Sequence, residues 1–66
     1  MQVLVNERPC ETAEACTVAA LLEQLGLTGK PVAVEVNLQL VPRQRHAEHV
    51  LVDNDRLEIV TLVGGG

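Results

Sequence analysis

The side chains that most often carry chemistry are few in this chain of 66 residues. His46 and His49 stand three residues apart and would share one face of a short helix. A metal site needs one or two further ligands close by, and Glu48 would point elsewhere on such a helix. Both histidines are therefore predicted to be surface residues of a polar segment, and no metal site is expected.

The cysteines and the paired aspartates also favour structural roles. Cys16 lies just before a predicted helix, where the helix dipole can lower a thiol pKa, but no base and orienting group can be assembled around it. One Cys10–Cys16 bridge would not make the dense disulfide framework of a small secreted domain, so two reduced, half-buried thiols are expected. Asp53 and Asp55 bracket a turn without the further acidic positions of a calcium loop, which predicts a solvated turn.

The remaining reactive group is the terminal carboxylate of TLVGGG (61–66). At Gly66 it is unhindered and ionised, with an ordinary pKa of about 3.3–3.7. It is nucleophilic only toward a strong electrophile, such as the α-phosphorus of ATP held by an adenylating enzyme, and sulfur could displace the resulting acyl adenylate. Glycine has no Cβ and fits a narrow channel, and three extended glycines reach about 10 Å. A Gly-rich frayed end is the plain alternative.

Hydrophobic periodicity predicts the elements that would carry this tail. MQVLVN (1–6) alternates as a strand, NERP (6–9) supplies turn chemistry, and a weak return strand is expected around residues 10–13. Thr17 is the predicted N-cap of a helix over residues 18–25 that ends at Gly26. Its apolar stripe consists of Val18, Leu21, Leu22 and Leu25.

The second half of the chain predicts further strands. VAVEVN (32–37) and RLEIVTLV (56–63) are the main ones, LQLV (38–41) is a short one, and RQRHAEH (43–49) would form one or two helical turns. By alternation, Leu57 and Ile59 face the helix, whereas Glu58, Val60 and Leu62 face outward. Apolar side chains at Val60 and Leu62 then have no role in folding, which predicts a partner-binding surface. The order of elements predicts an α+β domain with one helix across one sheet face.

Composition narrows the function classes. The net charge is −4 and no aromatic residue is present, which argues against nucleic acid and anionic membranes and leaves no platform for stacking bases. The longest apolar run, VAALL (18–22), is far short of a membrane span, and MQVLVNE lacks the features of a signal peptide. A cytoplasmic protein that meets electropositive protein partners is expected.

Several segments together resemble the thiamine-pathway sulfur carrier proteins, small members of the ubiquitin-like β-grasp family. They are the opening strand MQVLVN, the helix TVAALLEQL, the segment VEVNLQLVPR (34–43), the turn DND before RLEIVTLV, and the Gly-Gly terminus. The resemblance implies a mixed sheet of four to five strands crossed by one main helix. It places a β-grasp domain at residues 1–63 and a flexible glycine tail at residues 64–66. Two departures are Ala13–Cys16, where the family usually has a glycine, and Asn54 in the last turn.

The resemblance also implies a chemistry in which this chain is a protein cosubstrate and not an enzyme. A partner adenylyltransferase would use ATP to adenylate Gly66, with Gly65 and Gly64 in its channel, so the chain would need no cofactor of its own. A persulfide sulfur donor would then yield a C-terminal thiocarboxylate, and thiazole synthase would take that sulfur. Three alternatives stay open: the small subunit of molybdopterin synthase, a ubiquitin-like protein modifier, and an interaction module with an inert tail.

Overall fold

The computed structural model describes residues 1–62 of the chain. Its elements follow one another as a β-hairpin, a helix, a second hairpin, a single helical turn and a last strand. They are β1 (Gln2–Val5), β2 (Arg8–Glu11), α1 (Val18–Gln24), β3 (Val32–Val36), β4 (Gln39–Val41), a 3₁₀ turn (Arg43–Arg45) and β5 (Arg56–Thr61). The described part therefore has five strands and one α-helix, which confirms the predicted α+β class.

The five strands form one mixed sheet in the order β2-β1-β5-β3-β4. The central pair, β1 and β5, is parallel, and every other neighbouring pair is antiparallel. The last strand along the chain thus lies in the middle of the sheet, between the first strand and the third. Because β5 is hydrogen-bonded to β1 on one side and to β3 on the other, the residue at its carboxyl end has a defined position in the sheet.

Local capping sets the two ends of α1. The Thr17 hydroxyl accepts a hydrogen bond from the Ala20 amide at 3.1 Å, as predicted for an N-cap. At the other end the Leu27 amide donates to the Leu22 carbonyl at 2.8 Å and the Gly26 amide to the Glu23 carbonyl at 3.0 Å. These two bonds form a Schellman motif, which requires the left-handed φ of +74° that Gly26 adopts.

One apolar core fills the space between α1 and the sheet. The buried hydrophobic residues are Val3, Cys16, Val18, Leu21, Leu22, Val34, Val36, Val41, Leu51, Leu57 and Ile59. Three members of the predicted helix stripe belong to it, but Leu25 is exposed and Leu27 packs against the core instead. The prediction for Leu25 is wrong because the helix ends at Gln24 and Leu25 is its C-cap, where the chain turns back at Gly26.

Two predicted boundaries differ from the structure. The turn of the first hairpin is only Asn6 and Glu7, both with positive φ, so Pro9 lies inside β2 instead of in the turn. Because β2 is an edge strand, the missing amide hydrogen of a proline is tolerated there. The predicted helical turns of residues 43–49 are limited to a single 3₁₀ turn at Arg43–Arg45. Within residues 1–62, no helix is long and apolar enough to cross a membrane.

Candidate functional site

The end of β5 is the point at which the chain approaches its carboxyl terminus. The Leu62 amide donates a hydrogen bond of 2.8 Å to the Pro31 carbonyl, directly after the last strand pair, Thr61 with Val32. Four residues follow Leu62 in the sequence. The predicted tail (64–66), the predicted boundary after residue 63 and the predicted site on Gly66, with Gly64 and Gly65, lie outside the described residues.

Val60 and Leu62 are exposed next to this point, as predicted. Their exposed fractions are 55% and 51%, whereas Leu57 and Ile59 are buried beneath α1. Val60 lies opposite Ala33 of β3. The sheet therefore has an outer face, turned away from α1, on which apolar side chains are exposed beside the end of β5. Exposure at Val60 and Leu62 is confirmed; their role in binding a partner stays a prediction.

The outer face carries two further large apolar side chains that the sequence analysis did not single out. Leu38, in the hairpin between β3 and β4, is 88% exposed, and Leu40, in β4, is 67% exposed. Glu35 lies opposite both Leu40 and Glu58, on its two neighbouring strands. The sequence does contain a signal for this exposure, which is the alternation in LQL (38–40). Residues 38 and 40 lie on one face of the sheet, and the buried Val41 lies on the other.

A hydrogen-bond network fixes the start of β5. The Asp55 carboxylate accepts from the Asn37 side-chain amide and from the Val52 backbone amide, both at 2.9 Å. The side-chain oxygen of Asn37 in turn accepts a hydrogen bond from the Arg56 backbone amide at 3.0 Å. Asp55 is buried, so the predicted solvated turn is wrong for this residue, because its two carboxylate oxygens replace water with protein donors. Asn54 has a φ of +71°, a left-handed backbone conformation that asparagine adopts more readily than most residues.

A second side chain holds the middle of β5. Asn6 donates from its side-chain nitrogen to the Ile59 carbonyl at 3.0 Å, and its side-chain oxygen accepts from the Ile59 amide at 2.8 Å. Its own amide donates to the Leu57 carbonyl at 2.8 Å. Asn6 thus continues the pairing of β5 beyond the end of β1, and Val60 and Leu62 follow from a strand that is fixed on both sides.

The two cysteines are free thiols, and Cys16 is buried in the core. Burial raises the pKa of the Cys16 thiol above its ordinary value, and the nearby Cys10 raises it further. The helix dipole therefore does not activate Cys16, because desolvation disfavours the thiolate. Cys16 is thus a buried core residue, so the prediction of a half-buried thiol is wrong for Cys16 and holds for Cys10.

His46 is not the surface residue that was predicted. It is 8% exposed, and its Nε2 lies 3.1 Å from the Val41 carbonyl oxygen. Its backbone carbonyl accepts from the Ala19 amide at 2.9 Å, and the His49 carbonyl accepts from the Val18 amide at 3.0 Å. The two histidines therefore connect the loop after β4 to the start of α1. Among residues 1–62, no three His, Cys, Asp or Glu side chains are grouped so that they could hold a metal ion.

Known proteins resemble this chain over its whole length. A sulfur carrier protein ThiS from Escherichia coli is 36% identical over 66 residues, which is all of both chains. A thiazole synthase from Paramagnetospirillum magneticum is 41% identical over the whole of this chain, which spans only 20% of that relative's length. The crystal structure of the thiamine biosynthesis protein ThiS from Geobacter metallireducens superposes with a TM-score of 0.84 at 30% identity, covering both chains completely.

The similarity to that crystal structure bears out the β-grasp expectation for the fold, with its mixed five-stranded sheet and one helix. The family model for ThiS matches residues 3–66, which includes the three terminal glycines. Since this match extends over nearly all of the sequence and agrees with the full-length relatives, the chain belongs to the ThiS family.

Proposed function

We propose that this chain is the sulfur carrier for thiazole formation in thiamine biosynthesis. One observation carries the proposal: the ThiS family match runs to Gly66, four residues beyond a point of β5 that is fixed to Pro31. A sulfur carrier needs a folded domain that partner enzymes can bind and a terminal carboxylate that those enzymes can reach. The relatives named sulfur carrier protein and thiazole synthase support both the role and the pathway.

The proposed reaction takes place at the Gly66 carboxylate in two stages. In the first, a carboxylate oxygen attacks the α-phosphorus of ATP on a partner adenylyltransferase, the bond to the β-phosphate oxygen breaks, and pyrophosphate leaves. In the second, the terminal sulfur of a donor persulfide attacks the acyl carbon, an S–C bond forms and AMP leaves; a thiol then attacks the donor's own sulfur in the resulting acyl disulfide, so that a disulfide forms with the donor and the thiocarboxylate is released. The product is a C-terminal thiocarboxylate, which thiazole synthase would consume.

The chain's own residues contribute recognition in this scheme and not catalysis. ATP is consumed by the adenylating partner, and the chain is proposed to use no cofactor of its own. Val60 and Leu62 are proposed to contact that partner, because they are exposed apolar residues beside the start of the tail. Glycines at 64–66 have no Cβ that would obstruct a narrow channel. The proposed location of the whole cycle is the cytoplasm.

Intact-mass measurement tests the proposal directly. The protein is incubated with an adenylating enzyme of this family, ATP and a persulfide donor, and its mass is expected to rise by the difference between sulfur and oxygen. Fragmentation must place that change on Gly66, and a variant that lacks Gly66 is the control. If the mass stays constant under conditions that charge the Escherichia coli carrier, the proposal is wrong. If Gly66 is instead found in isopeptide bonds to lysines, the chain is a protein modifier.

A further inference from the structure

Asn6 binds the last strand through its side chain, although it lies in the turn of the first hairpin. That turn consists of Asn6 and Glu7, with φ values of +49° and +69°. Asparagine is favoured at the first position of such a turn because its backbone tolerates a left-handed conformation. This preference requires nothing of the side chain, yet the Asn6 side-chain amide binds Ile59, 53 residues further along the chain. The turn therefore accounts for the backbone of Asn6 and not for its side-chain contacts.

The Asn6 side chain supplies two hydrogen bonds that β1 is too short to supply. The parallel pairing of β1 with β5 ends at Val5 and Leu57, and the Asn6 backbone amide then donates to the Leu57 carbonyl at 2.8 Å. In a continued parallel ladder, the next two bonds would join Ile59 to the backbone of residues 6 and 8. The chain turns away into β2 instead. The Asn6 side chain makes both bonds, accepting from the Ile59 amide at 2.8 Å and donating to the Ile59 carbonyl at 3.0 Å.

These two bonds hold the carboxyl half of β5, residues 59–61, from the side of β1. On the opposite side β3 pairs with β5 as far as Val32 with Thr61. Within residues 1–62, Asn6 makes the hydrogen bonds that reach β5 from the β1 side beyond Leu57. Two-stranded ribbons twist more strongly than strands inside a sheet. Loss of the Asn6 side chain would therefore let the carboxyl half of β5 twist with β3 alone.

The orientation of this half of β5 matters for a reaction at the terminus. Gly66 follows Ile59 by seven positions in the sequence. An enzyme that binds the folded domain and reacts with the terminal carboxylate requires the end of β5 to have one orientation relative to that domain. A misplacement of about 1 Å, even when its cause is far from the reacting atoms, can cost about a hundredfold in rate.

We propose that Asn6 is a positioning residue for the reaction at Gly66. Its side chain fixes the direction in which β5 leads into the terminal residues, through the two bonds to Ile59. Asn6 acts through β5 and does not touch the reacting atoms. The proposal rests on the proposed function for the identity of the reaction.

The second hairpin contains a matched asparagine. Asn37 is the first residue of a two-residue turn and has a φ of +51°, close to that of Asn6. Its side chain also makes two hydrogen bonds, accepting from the Arg56 amide at 3.0 Å and donating to the Asp55 carboxylate at 2.9 Å. These contacts lie at the start of β5, whereas those of Asn6 lie past its middle. A change at Asn37 therefore removes as many side-chain bonds without releasing the carboxyl half of β5.

Glycine variants at the two asparagines separate positioning from stability. Glycine adopts the left-handed φ without strain, so Asn6→Gly and Asn37→Gly remove the side chains and keep the turns. In ATP–pyrophosphate exchange, Asn6→Gly is expected to lower kcat about tenfold to a hundredfold with a nearly unchanged KM for the carrier. The folded domain still binds, but its terminus is placed less accurately. Asn37→Gly should leave kcat and KM nearly unchanged, in assays run below the thermal midpoint of both variants.

Amide hydrogen exchange measures the structural effect without any partner. In Asn6→Gly the Ile59 amide loses its acceptor and should exchange faster. The Leu62 amide keeps its 2.8 Å bond to Pro31 but should also exchange faster, because this half of β5 is then held from one side only. Asn37→Gly should speed exchange at Arg56, which loses its acceptor, and not at Leu62.

The outcomes distinguish this inference from the proposed function. If kcat falls equally in both variants, Asn6 contributes only to stability and the positioning role is wrong. If Asn6→Gly has an unchanged kcat while Gly66 is thiolated normally, the chain is a sulfur carrier that does not depend on Asn6. Unchanged exchange at Leu62 would show that Asn6 does not hold the carboxyl half of β5. If the unaltered chain is not adenylated, the proposed function is wrong, and the role of Asn6 in it falls as well.

Discussion

The Leu62 amide donates a hydrogen bond of 2.8 Å to the Pro31 carbonyl, and this contact joins the end of the central strand to the loop before β3. It extends the ladder between β3 and β5 one step beyond the pair Val32 and Thr61. Because β5 is held by β1 on its other side, Leu62 cannot shift along the sheet without breaking both ladders. Leu62 therefore has a fixed position on the sheet, and Gly66 follows it by four positions in the sequence.

Val60→Asp should weaken binding to the proposed adenylating partner with little change in stability. Val60 is more than half exposed, so a carboxylate there stays hydrated in the free protein but must lose that hydration in an apolar interface. A loss of about tenfold or more in affinity, measured by titration calorimetry, is the expected result. Val50→Asp, at an equally exposed valine beside α1, is the control. A large fall in the thermal midpoint of Val60→Asp would contradict the surface assignment.

Leu22→Ala should leave the domain substantially unfolded at physiological temperature. Leu22 is buried in the core, and truncation of a buried leucine costs about 2–5 kcal/mol. A single small core of this size rarely supplies more than about 3–5 kcal/mol in total. Urea denaturation followed by far-UV circular dichroism gives the free energy of unfolding. Leu25→Ala is a suitable comparison, because Leu25 is exposed and should cost much less.

His46→Ala should destabilise the fold, whereas the sequence alone predicts a near-neutral change. The variant removes a buried ring and leaves the Val41 carbonyl without its 3.1 Å contact, at a cost of about 1–3 kcal/mol. His49→Ala keeps the backbone carbonyl that accepts from Val18 and should be close to neutral. His46→Gln retains a side-chain donor and should recover part of the loss. Equal stability of His46→Ala and the unaltered chain would show that the contact with Val41 contributes nothing.

The fold could be predicted from the sequence where hydrophobic periodicity and capping residues agree. The alternation of Val32, Val34 and Val36 and the N-cap at Thr17 depend on neighbours within a few positions, so local sequence contains the necessary information. His46 and Asp55 were misjudged for the opposite reason. Their polar groups are buried because partners far along the chain, or on another element, supply hydrogen bonds, and composition cannot show which polar residues find such partners.

The candidate site was predictable only in part. Alternation in β5 identified Val60 and Leu62, because the buried Leu57 and Ile59 set the register. The sequence indicated Asn6 only as a turn residue, because its side chain binds Ile59, 53 positions further along the chain, and that contact is visible only in the structure. The two residues are adjacent only through the parallel pairing of β1 and β5.

The buried thiol predicts a pH dependence of stability. The pKa of Cys16 is raised in the folded state, so the folded chain holds this proton more strongly than the unfolded chain does. The contribution of Cys16 is therefore fully present below the ordinary thiol pKa and is lost as the pH rises through the higher, folded-state value. Unfolding free energies measured at neutral and alkaline pH, with Cys16→Ala for comparison, should differ in this sense. In the native protein, maleimide should react faster with the half-buried Cys10 than with Cys16.

Changes at Gly65 and Gly66 should abolish charging while leaving the body intact. Gly65→Val adds a branched side chain next to the reacting residue and is expected to block adenylation if the partner's channel admits only a bare backbone. Deletion of Gly66 leaves a glycine carboxylate at Gly65, about 3.5 Å short of the α-phosphorus, and a misplacement of that size costs at least about a hundredfold in rate. ATP–pyrophosphate exchange gives the rate, and thermal unfolding should show no change, since neither residue belongs to the apolar core between α1 and the sheet. A partner that binds the folded domain at its outer face and at Leu62 fixes how far the terminal carboxylate can reach. Normal exchange by the shortened chain would therefore mean that binding of the folded domain does not position the terminus.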